Sequence, residues 1–263
     1  GHATSLALAG GGARVLMVSR PGRQGEAQAE AVRRASGNGA VAFLPADLSS
    51  LSEVRRLAAE VAARVAERGE RLSALVNNAG AYLGERRVSA DGYEMTFALN
   101  HLAPFLLSQL LLERLEPGGR VVVVASEAAR MGRLHEDPLL RRGYSGWRAY
   151  AQSKLANLLF TASLARRLAS DRSARVVNAL HPGTVATGFA REGGGAMSLV
   201  FRVLAPLLKT PEQGAADVLS LARDPAFAGA NGLYLRNGKP APMPPRALER
   251  DAQARLWALS EGL

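Results

Sequence analysis

The sequence predicts an α/β fold in which helices flank a doubly wound parallel sheet. Continuous apolar runs recur along the chain, and longer segments with helical spacing of apolar residues separate them. Apolar runs without alternation are typical of parallel strands covered on both faces, and the helices supply the crossovers that parallel strands need. With 263 residues, 48% of them hydrophobic, the chain is long enough for one large core, so we expect a single domain over residues 1–263.

Strand and helix candidates alternate from the first residues to the last. We predict strands in ARVLMVSR, AVAFLPADL, LSALVNNAG, RVVVVASEA, ARVVNALHPG and NGLYLRN. Helical spacing predicts helices near 22–36, 50–68, 92–115, 147–169, 211–223 and 247–261. Ligands of such sheets bind beyond the carboxyl ends of the strands, so the polar and turn-forming residues after each apolar run mark the candidate site.

The first residues have the pattern of a helix, a stop and a strand. Apolar residues at Ala3, Leu6 and Leu8 come before three glycines at 10–12 and the strand candidate at 15–18. This order is the middle of a βαβ unit, whose opening strand usually lies at the centre of the sheet. We therefore expect a strand upstream of residue 1 and a gap in the sheet beside the strand at 15–18.

The composition narrows the class of protein. Cysteine is absent, which excludes disulfides and thiolate metal sites. We find neither a run of about 18 apolar residues nor a signal-peptide pattern, so we expect no membrane span and take a cytoplasmic location as the default. The net charge of +10 comes from arginines spread along predicted helix faces rather than clustered with aromatic residues, so we expect no nucleic-acid partner.

Tyr150 and Lys154 lie four residues apart in YAQSK, on one face of a predicted helix. An exposed helix pair would have the same spacing. An ammonium about 4 Å from a phenol would instead favour the phenolate by roughly 4 kcal/mol at an effective dielectric near 20, which lowers the tyrosine pKa by about three units. The pair thus predicts a tyrosine that acts as an acid or base near neutral pH. Tyr144 lacks this partner, because the residue four positions later is Arg148.

Several motifs follow one another as in short-chain dehydrogenases/reductases. They are NNAG at 77–80, a helical Asn100, Ser126 after a strand, Tyr150 with Lys154, and HPGTVAT at 181–187. The segments ADGYEMTFALNHLAPFLLSQLLLERL, YAQSKLANLLFTASLARRL and KTPEQGA resemble the branch that contains retinol dehydrogenases, WW-domain oxidoreductases and protochlorophyllide reductases. The resemblance runs from Gly1 to about residue 223 and implies a Rossmann-type sheet of strand order 3-2-1-4-5-6-7.

The same resemblance identifies what should come before residue 1. The family's first strand ends in T-G-x-x-x-G-x-G, and Gly1 corresponds to the last of these glycines. We therefore expect the first strand and most of this glycine-rich loop to be missing from the 263 residues.

By resemblance, four residues carry the chemistry. Ser126 would donate a hydrogen bond to the substrate carbonyl oxygen, Tyr150 would transfer the proton, Lys154 would bind the nicotinamide ribose, and Asn100 would hold a water of the proton relay. A strand-end turn serine and an ordinary polar helix residue remain the alternatives for Ser126 and Asn100. Pro104, four residues after Asn100, lacks an N–H group and predicts a bend in this helix. No metal is implied.

The remaining expected contacts hold a dinucleotide. Arg20 closes the strand at which a carboxylate would select NAD, and its guanidinium suits a 2′-phosphate, so NADP(H) is favoured over NAD(H). For Asp47, an acidic residue at a helix N-terminus is the alternative to an adenine contact. The expected cofactor contacts are Gly1, Arg20, Asp47, Leu48, Asn78, Ala79, Gly80, Tyr150, Lys154, Pro182, Gly183, Val185 and Thr187.

The resemblance implies an NADP-dependent oxidoreductase that interconverts a carbonyl and a primary or secondary alcohol on a small apolar substrate. Two alternatives stay open: a protein that senses NADP(H) without turnover, and a double-bond reductase of the same fold. We predict that a segment at about 184–210 forms a lid over the substrate, with a membrane-surface helix as the alternative. A homodimer through the helices at 92–115 and 147–169 is open as well.

Overall fold

A computed structural model describes residues 1–137, 139–183 and 210–262. The strands in these ranges are β1 (Val15–Ser19), β2 (Val41–Pro45), β3 (Leu72–Asn77), β4 (Leu115–Val124), β5 (Val176–His181), β6 (Tyr234–Arg236) and β7 (Lys239–Pro240). The α-helices are α1 (His2–Gly10), α2 (Arg23–Ser36), α3 (Leu51–Ala66), α4 (Met95–Phe97), α5 (Ala103–Leu111), α6 (Gly146–Ser170), α7 (Pro211–Arg223) and α8 (Arg250–Gly262).

The strands are arranged as β2-β1 and β3-β4-β5-β6-β7. With the expected first strand missing between β1 and β3, this is the predicted strand order with the predicted break. β1 and β2 pair in parallel, and β3, β4, β5 and β6 form a second parallel set. Within the described residues, no ladder joins β1 to β3. The doubly wound parallel sheet is therefore confirmed, and the break between β1 and β3 lies where the sequence predicts a gap.

β7 is a strand that the sequence pattern did not predict. It pairs antiparallel with β6 through Arg236 and Lys239, and the two residues between them, Asn237 and Gly238, both have positive φ. Asn-Gly between two extended segments is a strong signal for a two-residue hairpin turn. The signal was present in LRNGKP, in a region where only one strand was expected.

The helix predicted over 92–115 is interrupted. A π turn over Ala98–Leu102 separates α4 from α5, and the Ala103 N–H donates to the carbonyl of Ala98. Pro104 lies directly after this turn, so the chain changes its hydrogen-bonding pattern where Pro104 predicts a bend. The π turn buries the side chains of Asn100 and His101.

The segment Met95–Arg114 bears on the expected absence of a membrane span, which stays a prediction. Its 20 residues are long and apolar enough to cross a membrane by length and composition alone. Core helices of soluble proteins pass the same test, and 67% of the most apolar window is buried inside the fold. This is weak evidence for a span, and the cytoplasmic location stays a prediction.

The centre of the core is α6, which has 25 residues and packs under α8. Trp257 of α8 holds the two together: its ring centre is 5.1 Å from that of Phe105 and 6.1 Å from that of Phe160. The Arg167 guanidinium lies 3.9 Å from the same indole. α8 therefore packs on the helices through which a homodimer was expected, and the homodimer stays a prediction.

We expect Trp257→Ala to lower the free energy of unfolding by about 3 to 5 kcal/mol, because it empties a buried site between three elements. Urea denaturation of the two proteins measures the difference. Leu248→Ala is the matched control, since Leu248 is 55% exposed and its loss should change stability by less than about 0.5 kcal/mol. Equal effects of the two substitutions would contradict the packing of α8 described above.

Candidate active site

The parallel strands bring the predicted site residues to one edge of the sheet. Arg20 follows β1, Asp47 and Leu48 follow β2, and Ser126 follows β4. Residues 78–80 follow β3, and Pro182 with Gly183 follows β5. Val185, Thr187 and all but the last residue of the lid expected at about 184–210 lie outside the described residues.

Gly1 lies at the N-terminus of α1 and next to the turn after β3. A Cβ placed on Gly1 would be 3.4 Å from Asn78 Nδ2. The two residues are therefore neighbours, as an expected dinucleotide contact from each of them requires.

The Asn100 side chain joins three elements at the site. Its Oδ1 accepts from the Ala81 N–H at 2.8 Å, and its Nδ2 donates to the Ala81 carbonyl at 2.9 Å. Nδ2 also donates to Ser153 Oγ at 3.0 Å, and Ser153 in turn donates to the Tyr150 carbonyl. Both amide donors of Asn100 are thus used on the protein, so a relay water would have to donate to an oxygen of this residue, on the side chain or on the main chain.

The turn after β3 approaches the lysine closely. A Cβ on Gly80 would lie 3.1 Å from Asn100 Oδ1 and 3.3 Å from Lys154 Nζ. A residue with a Cβ would therefore require one of these side chains to shift by a few tenths of an ångström. The close approach of 78–80 to the adenosine ribose stays a prediction.

Lys154 is a buried ammonium with a backbone partner. Its Nζ donates to the Val124 carbonyl at 3.0 Å and lies 5.7 Å from the centre of the Tyr150 ring. Burial lowers the pKa of Lys154 to about 8, because desolvation penalises the charged form.

The expected lowering of the Tyr150 pKa by Lys154 is wrong for this structure. Burial raises the pKa of Tyr150, and a hydrogen bond with Ser126 opposes the rise only in part. The charge of Lys154 would lower the Tyr150 pKa, but both groups are also desolvated in the folded protein, and desolvation favours the neutral phenol. Tyr150 therefore keeps its proton at neutral pH, with its hydroxyl beside Ser126.

Comparison with known proteins decides the family. The model of the family described as short chain dehydrogenase matches residues 1–195. The chain belongs to this family. Human retinol dehydrogenase 14 is 35% identical over 99% of this chain and 82% of its own length. The branch similar to retinol dehydrogenases, read from the motifs, is therefore confirmed.

Solved structures agree with this assignment. A crystal structure of a protein from Mycobacterium paratuberculosis superposes with a TM-score of 0.76, at 34% identity, and covers 100% of this chain and 88% of that one. The angucycline C-6 ketoreductase LanV with bound NADP superposes with a TM-score of 0.68, at 25% identity, and covers 90% of each chain. Members of the family are NAD(P)-dependent oxidoreductases that interconvert carbonyl and alcohol groups, and the chain is an enzyme of this kind.

Asp47 has a structural contact within this family framework. Its Oδ1 accepts from both the N–H and the hydroxyl of Ser49, at 2.9 and 2.7 Å. Asp91, rather than Asp47, accepts from the Leu51 N–H at the start of α3. Asp47 thus shapes the turn with one oxygen, and the described residues give its Oδ2 no partner.

Tyr144 is structural. Its hydroxyl donates to the Leu83 carbonyl at 3.0 Å. Burial, together with the nearby Glu94 carboxylate, raises the pKa of Tyr144 to about 12. Tyr144 is therefore unsuited to acid–base catalysis, as the absence of a lysine four positions later also indicated.

Two features of the site were not predicted from the sequence. Tyr82 and Trp147 flank the Tyr150 ring, at centre distances of 6.0 and 6.3 Å. Glu127, next to Ser126, accepts from the Tyr234 hydroxyl at 3.1 Å. Trp147 was accessible to prediction, because it lies three residues before Tyr150 on one helix face. The contacts of Tyr82 and Tyr234 are long-range and have no sequence signal.

The buried Lys154 predicts a pH dependence of stability. Its pKa is about 8 in the folded protein and 10.5 in the reference state, so between these values the unfolded chain binds more protons at this site. Wild-type stability should therefore rise with pH across this window relative to Lys154→Met, which cannot titrate. Urea denaturation of both proteins at pH 7, 8, 9 and 10 measures the trend.

Lys239→Met is the control for this experiment, because Lys239 is exposed on β7. Its difference from wild type should stay flat over the same pH range, because this side chain is in water in both the folded and the unfolded chain. A flat difference for Lys154→Met as well would show that its ammonium is not desolvated.

Proposed function

We propose that this enzyme is an NADPH-dependent carbonyl reductase that converts apolar ketones or aldehydes to secondary or primary alcohols. The observation that carries the proposal is the Tyr150 hydroxyl, hydrogen-bonded to Ser126 and backed by the buried Lys154. Two hydroxyl donors at one point suit a carbonyl oxygen that gains negative charge as it is reduced.

The protonation state of Tyr150 supports the direction of the reaction. Burial raises its pKa above the ordinary value of 10.0, so the phenol is neutral at pH 7. A neutral phenol can give its proton to the developing alkoxide, whereas alcohol oxidation needs the phenolate as base. This protonation state supports Tyr150 as a proton donor in reduction.

The residues present fit a nicotinamide dinucleotide, which supplies the hydride when bound. The turn at 78–80 lies next to the Lys154 ammonium. The backbone of this turn would lie close to the adenosine ribose, and Lys154 would bind the nicotinamide ribose. Asp47 Oδ2 would accept from the adenine amino group. Arg20, exposed at the end of β1, would pair with a 2′-phosphate, and NADP in the related ketoreductase LanV supports this choice.

Steady-state assays of NADPH oxidation with ketones, aldehydes and activated double bonds, followed by product identification, test the proposal. We expect alcohols from carbonyls in wild type. Tyr150→Phe should lose at least about 99% of kcat while the Kd for NADPH changes little, because the proton is removed but the ribose contact of Lys154 stays.

Tyr93→Phe is the matched control and should keep its activity, since the Tyr93 side chain packs against the hydrophobic core. Saturated ketones as products would favour the double-bond reductase, and NADPH binding without any product would favour the sensor. Activity that survives in Tyr150→Phe would assign the proton to another donor.

Arg20→Asp tests the cofactor preference. We expect the ratio of kcat/KM with NADPH to kcat/KM with NADH to fall at least about tenfold, because a phosphate partner becomes a hydroxyl acceptor. Arg34→Asp makes the same charge change on α2, where Arg34 is 74% exposed, and should leave the ratio within about twofold. Equal ratios in the two variants would mean that Arg20 does not contact the cofactor.

A further inference from the structure

Two aromatic side chains flank the ring of the proton donor. Tyr82 meets the Tyr150 ring edge-on, at a centre distance of 6.0 Å and an interplanar angle of 77°. Trp147 lies at 6.3 Å with an angle of 43°. The Trp147 side chain is 37% exposed, and Tyr82 is half-buried. Large aromatic surface is therefore accessible next to the reacting hydroxyl.

The backbone on both sides of Tyr82 is fixed. Asn100 binds both the N–H and the carbonyl of Ala81, the residue before it. Leu83, the residue after it, accepts from the Tyr144 hydroxyl at 3.0 Å, and a Cβ on Gly146 would overlap the same carbonyl. These contacts hold the loop between the π turn and the start of α6.

Trp147 is fixed by its place on α6. It is the second residue of this helix and lies three residues before Tyr150, so the two side chains share a face. Gly146, directly before it, packs against the backbone of Leu83 and Gly84. The two flanking rings thus have set positions relative to the Tyr150 hydroxyl.

We propose that Tyr82 and Trp147 form the two walls of the substrate subsite and select carbonyl compounds with a planar aromatic or conjugated group next to the carbonyl. This inference rests on the proposed function. A carbonyl oxygen that accepts from Tyr150 and Ser126 carries its substituents alongside these rings. A flat π system can pack edge-to-face or offset against them, which improves affinity by roughly two- to twelvefold over apolar contact alone.

A matched pair of substrates separates planarity from size. We choose 2-acetylnaphthalene and its saturated analogue 2-acetyldecalin, and compare the ratio of their kcat/KM values between proteins, which cancels their intrinsic reactivities. Trp147→Leu should lower this preference ratio by about three- to tenfold, because leucine keeps apolar contact but loses the π face. Trp147→Phe should restore most of the ratio.

Tyr82→Leu and Tyr82→Phe form the same pair of variants for the second wall. Leu110→Ala, a 40% exposed position on α5, should leave the ratio unchanged. Equal losses for the planar and the saturated ketone in the leucine variants would reduce the walls to apolar surface and overturn the proposal. An unchanged ratio would overturn it as well.

A binding measurement keeps the inference separate from turnover. Quenching of Trp147 fluorescence by 2-acetylnaphthalene should be saturable in wild type and lost in Trp147→Phe, where only the buried Trp257 remains. If wild type reduces no carbonyl, the proposed function fails, yet saturable quenching that weakens at least threefold in Tyr82→Leu would still support the subsite. Absence of quenching would overturn it.

Discussion

The site depends on the side-chain amide of Asn100. One buried group binds the N–H and the carbonyl of Ala81 and reaches Ser153 on α6. Each buried backbone group left without a partner costs about 1 to 3 kcal/mol, so this clamp determines where the turn after β3 can lie. The π turn supplies the side chain at the required place, which agrees with the frequent occurrence of π turns at functional sites. The approach of Gly80 to Lys154 and the position of Tyr82 against Tyr150 both follow from it.

Burial shifts the pKa values of Lys154 and Tyr150 in opposite directions, and both shifts favour the neutral form of the side chain. It lowers the pKa of Lys154 to about 8 and raises the pKa of Tyr150. At neutral pH Lys154 stays charged, and the burial of this charge lowers the stability of the fold. The hydrogen bond from Lys154 Nζ to the Val124 carbonyl offsets part of this cost. The tyrosine keeps its proton. A site that holds an ammonium behind a neutral phenol is prepared to stabilise negative charge on a substrate oxygen rather than on the phenol.

Sequence patterns predicted the strand ends and α6 well, because parallel strands place their carboxyl ends on one edge and because YAQSK fixes one helix face. They predicted less where backbone rearranges. Pro104 indicates that one helical hydrogen bond is lost, but it does not predict that the Ala103 N–H donates to the Ala98 carbonyl in a π turn. The Tyr150 pKa was predicted in the wrong direction because a pairwise distance carries no information on burial. The contact between Tyr82 and Tyr150 depends on the fold of the whole domain and has no local pattern.

The two sides of the site are built from different interactions. Asn100 holds the Tyr82 side through neutral hydrogen bonds, whereas the Ser126 side is held through Glu127, which pairs with Arg130 at 2.9 Å and Arg236 at 3.6 Å. Burial alone would raise the pKa of Glu127, but hydrogen bonds from Arg130 and Tyr234 outweigh it and hold the pKa below its usual range. A lowered carboxyl pKa contributes stability above the ordinary value, and this is lost as pH falls through the folded one. Acid therefore weakens the ion pairs and the Tyr234 contact of Glu127, whereas the amide clamp around Ala81 stays intact and Ser126 Oγ still accepts from the Ala128 N–H.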